Sequence, residues 1–332
     1  MTIPRPGAKK PSSPAAASPG VLVLNLNFSV DKTVLIPAFE KNSVYRLART
    51  ISLPGGKGVN VARALLELGL PAPLAGFAGG CNGHWIERAL KENGFSAFLE
   101  KHGAGESRMC LTVVDKHGCH MDFNEEGPPV PRAAQRRFLR ALGRRLLAGV
   151  RAVAICGRTP AGLEKGFYSG LVRAAAARGC FVMVDASGPA LAEALDAGAD
   201  GIKINRAEFA ELSGARFSPA GFHSFFRGRV QRGLHTLIVT GGPEPAYAAS
   251  PAGLWRITPP RLPRLQSPVG AGDSFMAGLV FGFVNGYDFE RTLGLAGGAA
   301  ASDCLTLGAG SIDRAQALAF ARKVVVTKLK SL

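Results

Sequence analysis

The stretch PVGAGDSFMAGL at 268–279 sets Asp273 directly behind Gly270, Ala271 and Gly272 and ahead of an apolar run. Glycines carry no Cβ and let the backbone turn tightly. A helix start turns free N–H groups and partial positive charge toward an anion. A carboxylate on such a turn is placed to take a proton from a hydroxyl attacking that anion. The same residues also fit a plain helix start, where an Asp in the first turn is favoured by the helix dipole. Both readings stand on these residues alone. The stretch is not a Walker A loop, because the GxxxxGK[ST] spacing is absent. A second stretch, LPGGKGVNVARALLELG at 53–69, places Gly55, Gly56 and Gly58 around Lys57, with Asn60 in the first turn of the helix that follows. Close backbone approach and a cation suit a bound anion. A tight strand-to-helix link with Lys57 in solvent is the alternative.

Such residues need a scaffold. From about residue 150 the pattern alternates regularly. RAVAICG (151–157), CFVMVDAS (180–187), DGIKIN (200–205) and HTLIVTGG (235–242) read as strands, and the first three are each followed by a helical stretch. That rhythm predicts an α/β fold with a parallel sheet and helices on both faces. Ligands in such sheets sit at the carboxyl ends of the strands, which puts Gly157, Asp185, Asn205 and Thr240 along one rim. Upstream, VLVLNLNFSV (21–30) reads as a strand and VYRLARTISL (44–53) has β character. RMCLTVVDKHGCHMDFN (108–124) reads as a hairpin turning at Lys116, His117 and Gly118. The β segments 32–53 and 106–124 stand outside the rhythm and are read as a small accessory sheet over the rim. Trp255 is expected on a strand. The small-residue stretch 294–311 is expected to pack closely against the helix behind Asp273.

The 332 residues are 47% hydrophobic, enough for a large core. No apolar run reaches the length of a membrane span, and Val21–Leu26 is too short for a signal sequence. A soluble cytoplasmic protein without a membrane partner is expected. The net charge of +16 suits nucleic acid, anionic lipid or phosphorylated substrates. Its densest segment, 132–153, reads as an amphipathic helix with a solvated arginine face. Zinc-finger spacing and aromatic RNA-binding signatures are absent, so no nucleic-acid partner is expected. The six cysteines form no CxxC and the six histidines no HExxH, which suggests free thiols and no metal centre on them. Residues 1–20, rich in Pro, Ser, Ala and Gly, read as a disordered tail.

PGGKGVNVARAL and PVGAGDSFMAG, in this order and far apart, resemble the two signature regions of the PfkB family of ribokinase-fold sugar kinases. The likeness covers roughly 21–325. It is closest to the branch of 1-phosphofructokinase, tagatose-6-phosphate kinase and the minor 6-phosphofructokinase. It implies a ribokinase-like three-layer sandwich for 21–332, with a central mostly parallel sheet and a β lid formed by about 32–53 and 106–124, often paired across a homodimer. NFSVDK (27–32) resembles the family's opening, implying that Asp31 binds sugar hydroxyls. SRMCLTV points to Arg108 for a substrate phosphate, and Arg46 matches a basic lid position. MDFNEEGPPV resembles the branch's N-E-x-G-P signature. IKINRAEF resembles K-P-N-x-x-E, implying Lys203, Asn205 and Glu208 near the nucleotide phosphates and Mg²⁺, the last two as indirect metal contacts. Thr240 and Gly242 are assigned to the nucleotide side, and Gly55, Gly56, Lys57 and Asn60 to the substrate side.

The implied chemistry is ATP-dependent phosphorylation of a hexose phosphate, first of all fructose 1-phosphate to fructose 1,6-bisphosphate. Asp273 is then the general base, and the N–H groups of Ala271, Gly272 and Asp273 hold the charge on the transferring group. Tagatose 6-phosphate or fructose 6-phosphate is the alternative acceptor. Further alternatives are an unphosphorylated sugar or nucleoside, or a weakly active sugar-phosphate-binding protein. The chain departs from the family at several positions. Arg158 replaces a serine near the substrate and is read as a substrate contact. Cys110 replaces an asparagine, Ile204 a proline, Gly241 a leucine and Pro268 a threonine. These changes bear on specificity and nucleotide fit more than on phosphoryl transfer.

Overall fold

The computed structural model describes residues 20–330 apart from 48, 49, 118 and 147. The expected tail, except Gly20, and Gly118 of the expected hairpin turn lie outside the described residues. The chain begins β1 (Val21–Asn27), β2 (Ser29–Ile36), β3 (Thr50–Gly55), α1 (Lys57–Leu68), β4 (Leu74–Gly79), α2 (Gly80–Glu92), β5 (Ala97–His102), β6 (Arg108–Asp115) and β7 (His120–Asn124). It continues α3 (Arg132–Ala141), β8 (Ala152–Cys156), α4 (Phe167–Ala176), β9 (Phe181–Asp185), α5 (Gly188–Asp196), β10 (Gly201–Asn205), α6 (Arg206–Ser213), α7 (Pro219–Val230) and β11 (Thr236–Gly241). The last third holds β12 (Glu244–Ser250), β13 (Gly253–Thr258), α8 (Ala271–Val284), α9 (Phe289–Asp303), α10 (Arg314–Ala321) and β14 (Val325–Lys330).

Ten strands form one sheet in the order β14-β13-β12-β11-β10-β9-β8-β1-β4-β5. It is parallel from β11 to β5, and β12, β13 and β14 extend it in antiparallel fashion. Because side chains alternate along a strand, β1 feeds two cores. Val21 and Val23 join one with Val59, Leu65, Met276, Leu279 and Leu293. Leu22, Leu24 and Leu26 join the other with Phe138, Leu171, Leu191, Phe209 and Phe226. The layers are therefore helix, sheet and helix, the ribokinase-like α/β arrangement. Trp255 lies on β13. Among the described residues no helix is long and apolar enough to cross a membrane.

Glycines set the spacing of α8 and α9. A Cβ on Gly278 would fall 2.5 Å from the Cα of Ala296, and one on Gly282 would fall 2.5 Å from Thr292 Oγ1. The backbones approach that closely only because both positions lack a side chain.

A second sheet has the order β3-β2-β6-β7. Register aligns Asp31 with Leu53 and Cys110, and Cys110 with Asn124, so these side chains share one face.

Three local expectations are corrected. The 21–30 run breaks at the buried Phe28, where the chain leaves the large sheet for the second one. In 44–53 the described residues 44–47 are irregular, and β3 is described from Thr50, where it has β2 as a partner. The 132–153 stretch is α-helical only to Ala141, widens into a π-turn over Leu142–Leu146, and then enters β8. Gly143 and Gly149 lower helix propensity there, while Ala152 and Val153 pair with β1.

Candidate active site

Gly270 precedes α8 in the left-handed region, with φ 96°. A Cβ there would lie 2.6 Å from Ala309 Cα and 2.6 Å from Asp303 Oδ2, so only glycine fits. The turn is closed by two backbone bonds. Ala271 N–H donates to Pro268 O at 3.3 Å, and Asp273 N–H donates to Gly270 O at 2.9 Å. The expected cup of three N–H donors is thereby corrected. Of these three N–H groups only that of Gly272 has no acceptor among the described residues, and that of Ala271 is loosely held. Lys203 Nζ faces Gly272, 3.4 Å from where its Cβ would be. Pro268 supplies the turn's carbonyl, and the hydroxyl comes one residue earlier, where Ser267 Oγ accepts from Val269 N–H at 3.1 Å.

Asp273, in the first turn of α8, is 7% exposed. Asn60 Nδ2 donates to its Oδ2 at 2.8 Å. Burial and then the nearby Asp185 push the Asp273 carboxyl up to about 6, against the opposing pull of Asn60, Lys203 and Lys57. Asp185 closes β9 at 0% exposed. Lys57 Nζ lies 3.0 Å from its Oδ1, and Lys203 donates to its Oδ2. Burial alone would raise the pKa of Asp185, but the two ammonium groups outweigh it and hold the carboxyl below its ordinary value. Burial alone would likewise lower the Lys57 pKa. The charges of Asp185, Asp273 and Glu208 reverse that, and the ammonium is held above its ordinary value. Two lysines and two carboxyls thus converge at the strand ends, in front of the Gly272 N–H.

The Gly-Gly-Lys-Gly loop is fitted to side chains of the protein itself. Asn25 Oδ1 accepts from Gly58 N–H at 3.1 Å, and its Nδ2 donates to Gly55 O at 3.4 Å. A Cβ on Gly55 would fall 2.0 Å from Asp31 Cγ, and one on Gly56 would fall 2.6 Å from Asn25 Nδ2. Gly55 and Gly56, expected on the substrate side, therefore make room for Asp31 and Asn25. Asp31 Oδ1 accepts from Ser29 Oγ at 2.6 Å. The neighbouring Arg108 is buried, with Nε 3.4 Å from Asn27 O and Nη1 3.3 Å from Cys110 Sγ. Arg158 pairs with Glu126 at 3.3 Å on the surface. Arg46 is exposed in the irregular segment before β3 and makes no hydrogen bond or ion pair among the described residues; the structure does not bring it into the cluster.

Asn205 and Glu208 cap α6 reciprocally, the Asn205 side chain accepting from Glu208 N–H at 2.9 Å and Glu208 Oε2 accepting from Asn205 N–H at 2.8 Å. Glu208 Oε1 remains 4.0 Å from Lys57 Nζ. Thr240 donates to Ile204 O at 3.3 Å, and Gly242 forms the β11–β12 turn with φ 65°. A Cβ on Gly241 would meet Arg206 Nη2 at 2.9 Å, the arginine that donates to Pro245 O. The missing leucine side chain is the space Arg206 uses. Among the described residues there is no group of three or more His, Cys, Asp or Glu side chains able to hold a metal. The sequence-derived site omitted Asn25, Arg63 and Asp303. Asp185 was placed on the strand-end rim but given no role of its own.

The sheet and this strand-end cluster define a ribokinase-like enzyme. Arabidopsis thaliana ribokinase, solved with ribose and ATP, shares the fold with a TM-score of 0.73 at 18% identity, covering 92% of this chain and 99% of that one. The chain matches the pfkB family of carbohydrate kinases over residues 25–315 and belongs to it. It is 28% identical over 277 residues to tagatose-6-phosphate kinase of Staphylococcus epidermidis, 82% of this chain and 88% of the relative. Phosphofructokinase-2 of Escherichia coli, solved in complex with fructose-6-phosphate, has a TM-score of 0.82 at 23% identity, covering 91% of this chain and 98% of that one.

Proposed function

We propose that this carbohydrate kinase transfers the terminal phosphoryl group of ATP to a hydroxyl of a hexose monophosphate, with Asp273 as the general base. One observation carries the reading. Asp273 is buried on the Gly270 turn with its carboxyl pushed up to about 6, beside a free Gly272 N–H and the Lys57–Asp185–Lys203 ion group. A carboxyl near that value is ionised at neutral pH and still basic enough to take a proton from a sugar hydroxyl. The Gly272 N–H and Lys203 face the place where negative charge grows on the transferring group. Asn60 orients Asp273, and Asp185 holds both lysines forward. ATP supplies the phosphoryl group. The oxygen donors of Asn205 and Glu208 fit Mg²⁺ only through water, because each caps the other, which leaves substrate phosphates as the direct metal ligands.

The acceptor's own phosphate needs a cation. Arg108 stands beside Asp31, and the Arg158–Glu126 pair is solvent-exposed. Exposed ion pairs are worth about 0–1 kcal/mol, so a phosphate can take Glu126's place. Fructose 1-phosphate is the first acceptor to test. The 28% likeness to a tagatose-6-phosphate kinase favours tagatose 6-phosphate as the second. The second sheet serves as the lid, and its exposed apolar side chains, including Leu35, Leu53, Met121 and Phe123, serve self-association. The test is ADP release with Mg-ATP against fructose 1-phosphate, fructose 6-phosphate, tagatose 6-phosphate, fructose and ribose. Turnover on a hexose phosphate supports the reading, and turnover only on fructose or ribose overturns the acceptor class.

A further inference from the structure

α9 ends on Asp303, a carboxyl that the proposed chemistry does not use. It is 1% exposed, and no side chain donates to Oδ1 or Oδ2; only the Gly310 and Ser311 backbone N–H groups face it, loosely. A buried carboxylate so poorly supplied with donors is costly when ionised. Its position is specific, because Oδ2 packs directly behind Gly270, 2.6 Å from where a Cβ on that residue would be. Asp303 therefore backs the turn whose front carries the Gly272 N–H. The charged or titratable groups facing it are Asp273 from α8, Arg63 from α1 and Cys304 beside it in the chain. Arg63 makes no ion pair with it. That guanidinium donates through Nη1 to Ala309 O and Asn60 Oδ1, and through Nη2 to Pro54 O.

We infer that Asp303 is a positioning residue for phosphoryl transfer, and that its carboxyl must hold a proton for the Gly270 turn to accept an anion. Ionised, Asp303 would set a second negative charge behind the turn. It would repel the entering phosphoryl group and raise the proton affinity of Asp273. Burial first, and then Asp273, push its carboxyl up to about 7, while the Gly310 and Ser311 N–H groups and Arg63 pull the other way. Asp273, at about 6, loses its proton first. The productive state has Asp273 ionised and Asp303 neutral, which opens an activity window between the two. The inference rests on reading this turn as the phosphoryl site.

The test compares pH profiles of kcat and KM for ATP in the wild type and in Asp303→Asn, which keeps the shape without the titration. Above about pH 7, wild-type kcat/KM should fall by about tenfold per pH unit, and Asp303→Asn should hold its plateau to about pH 8.5. The same alkaline fall in Asp303→Asn would overturn the inference. Thermal melting supplies a readout without turnover. A carboxyl raised in the folded state stabilises fully below its unfolded value of about 4 and loses that contribution as pH rises through about 7. The wild-type melting temperature should therefore decline more steeply than that of Asp303→Asn between about pH 5 and 8. If Asp303→Asn does not fold, infrared spectra of Asp273→Asn decide. Without the Asp273 charge the Asp303 midpoint falls below 7, so a protonated-carboxyl band whose midpoint still lies above the ordinary carboxylate value of about 4 supports the inference, and a midpoint at or below that value overturns it. Loss of turnover on every sugar, with the melting difference intact, would refute the kinase reading and leave the buried proton standing.

Discussion

Asp273 and Asp185 are both buried carboxyls at the strand ends, yet their surroundings drive them apart. Two lysines touch Asp185 and hold it ionised, while Asp273 has only the Asn60 amide in contact and is pushed up to about 6. Asp185→Asn removes the carboxylate that Lys57 and Lys203 share and leaves them only the more distant Asp273 and Glu208. Unfolding free energy should fall by about 3–5 kcal/mol, read by urea denaturation, and kcat should fall with it. The Asp185 contribution is present above the ordinary carboxylate range and is lost as pH falls through its lowered folded value. Asp273 was legible in the sequence because Gly-Ala-Gly ahead of an apolar helix marks a special turn. Asn25, Arg63 and Asp303 were not. Asn25 meets Gly55 across 30 positions and Arg63 reaches Ala309 across 246, while Asp303 packs against Gly270 from another helix, and spacing carries no trace of contacts made only by folding.

At the scale of elements, α8 must sit close enough to α9 for the Gly270 turn to lean on Ala309 and Asp303. Gly278→Ala inserts a methyl 2.5 Å from Ala296 Cα. It should destabilise the protein by about 1–3 kcal/mol, lower the melting temperature and reduce kcat more than it raises the KM for sugar, which steady-state kinetics would show. The alternating strands and helices after residue 150 were readable because each parallel strand is buried on both faces and bounded by glycines. The second sheet was only partly readable. β2 finds β6 across more than 70 residues, and its register is set by that pairing rather than by any local pattern. The π-turn after α3 escaped helical periodicity because Leu142 stays buried while the backbone widens.

At the scale of the molecule, one large sheet between two helical layers carries the strand-end cluster, and the second sheet stands apart with apolar side chains in water. Leu35 is 51% exposed and Phe123 is 53% exposed, an uncommon arrangement for a surface with no partner. If the proposed self-association forms a dimer through this sheet, charging it with Met121→Lys and Phe123→Lys together should halve the sedimenting mass; an unchanged mass would remove this sheet from the assembly. The central claim is that Asp273 on the Gly270 turn drives phosphoryl transfer to a hexose phosphate. Its most direct test is ADP release by wild type and Asp273→Asn on the best hexose phosphate of the panel. A loss of about 10²–10⁴-fold in kcat, with the melting temperature preserved, is the result predicted. Turnover of Asp273→Asn within tenfold of wild type would contradict it.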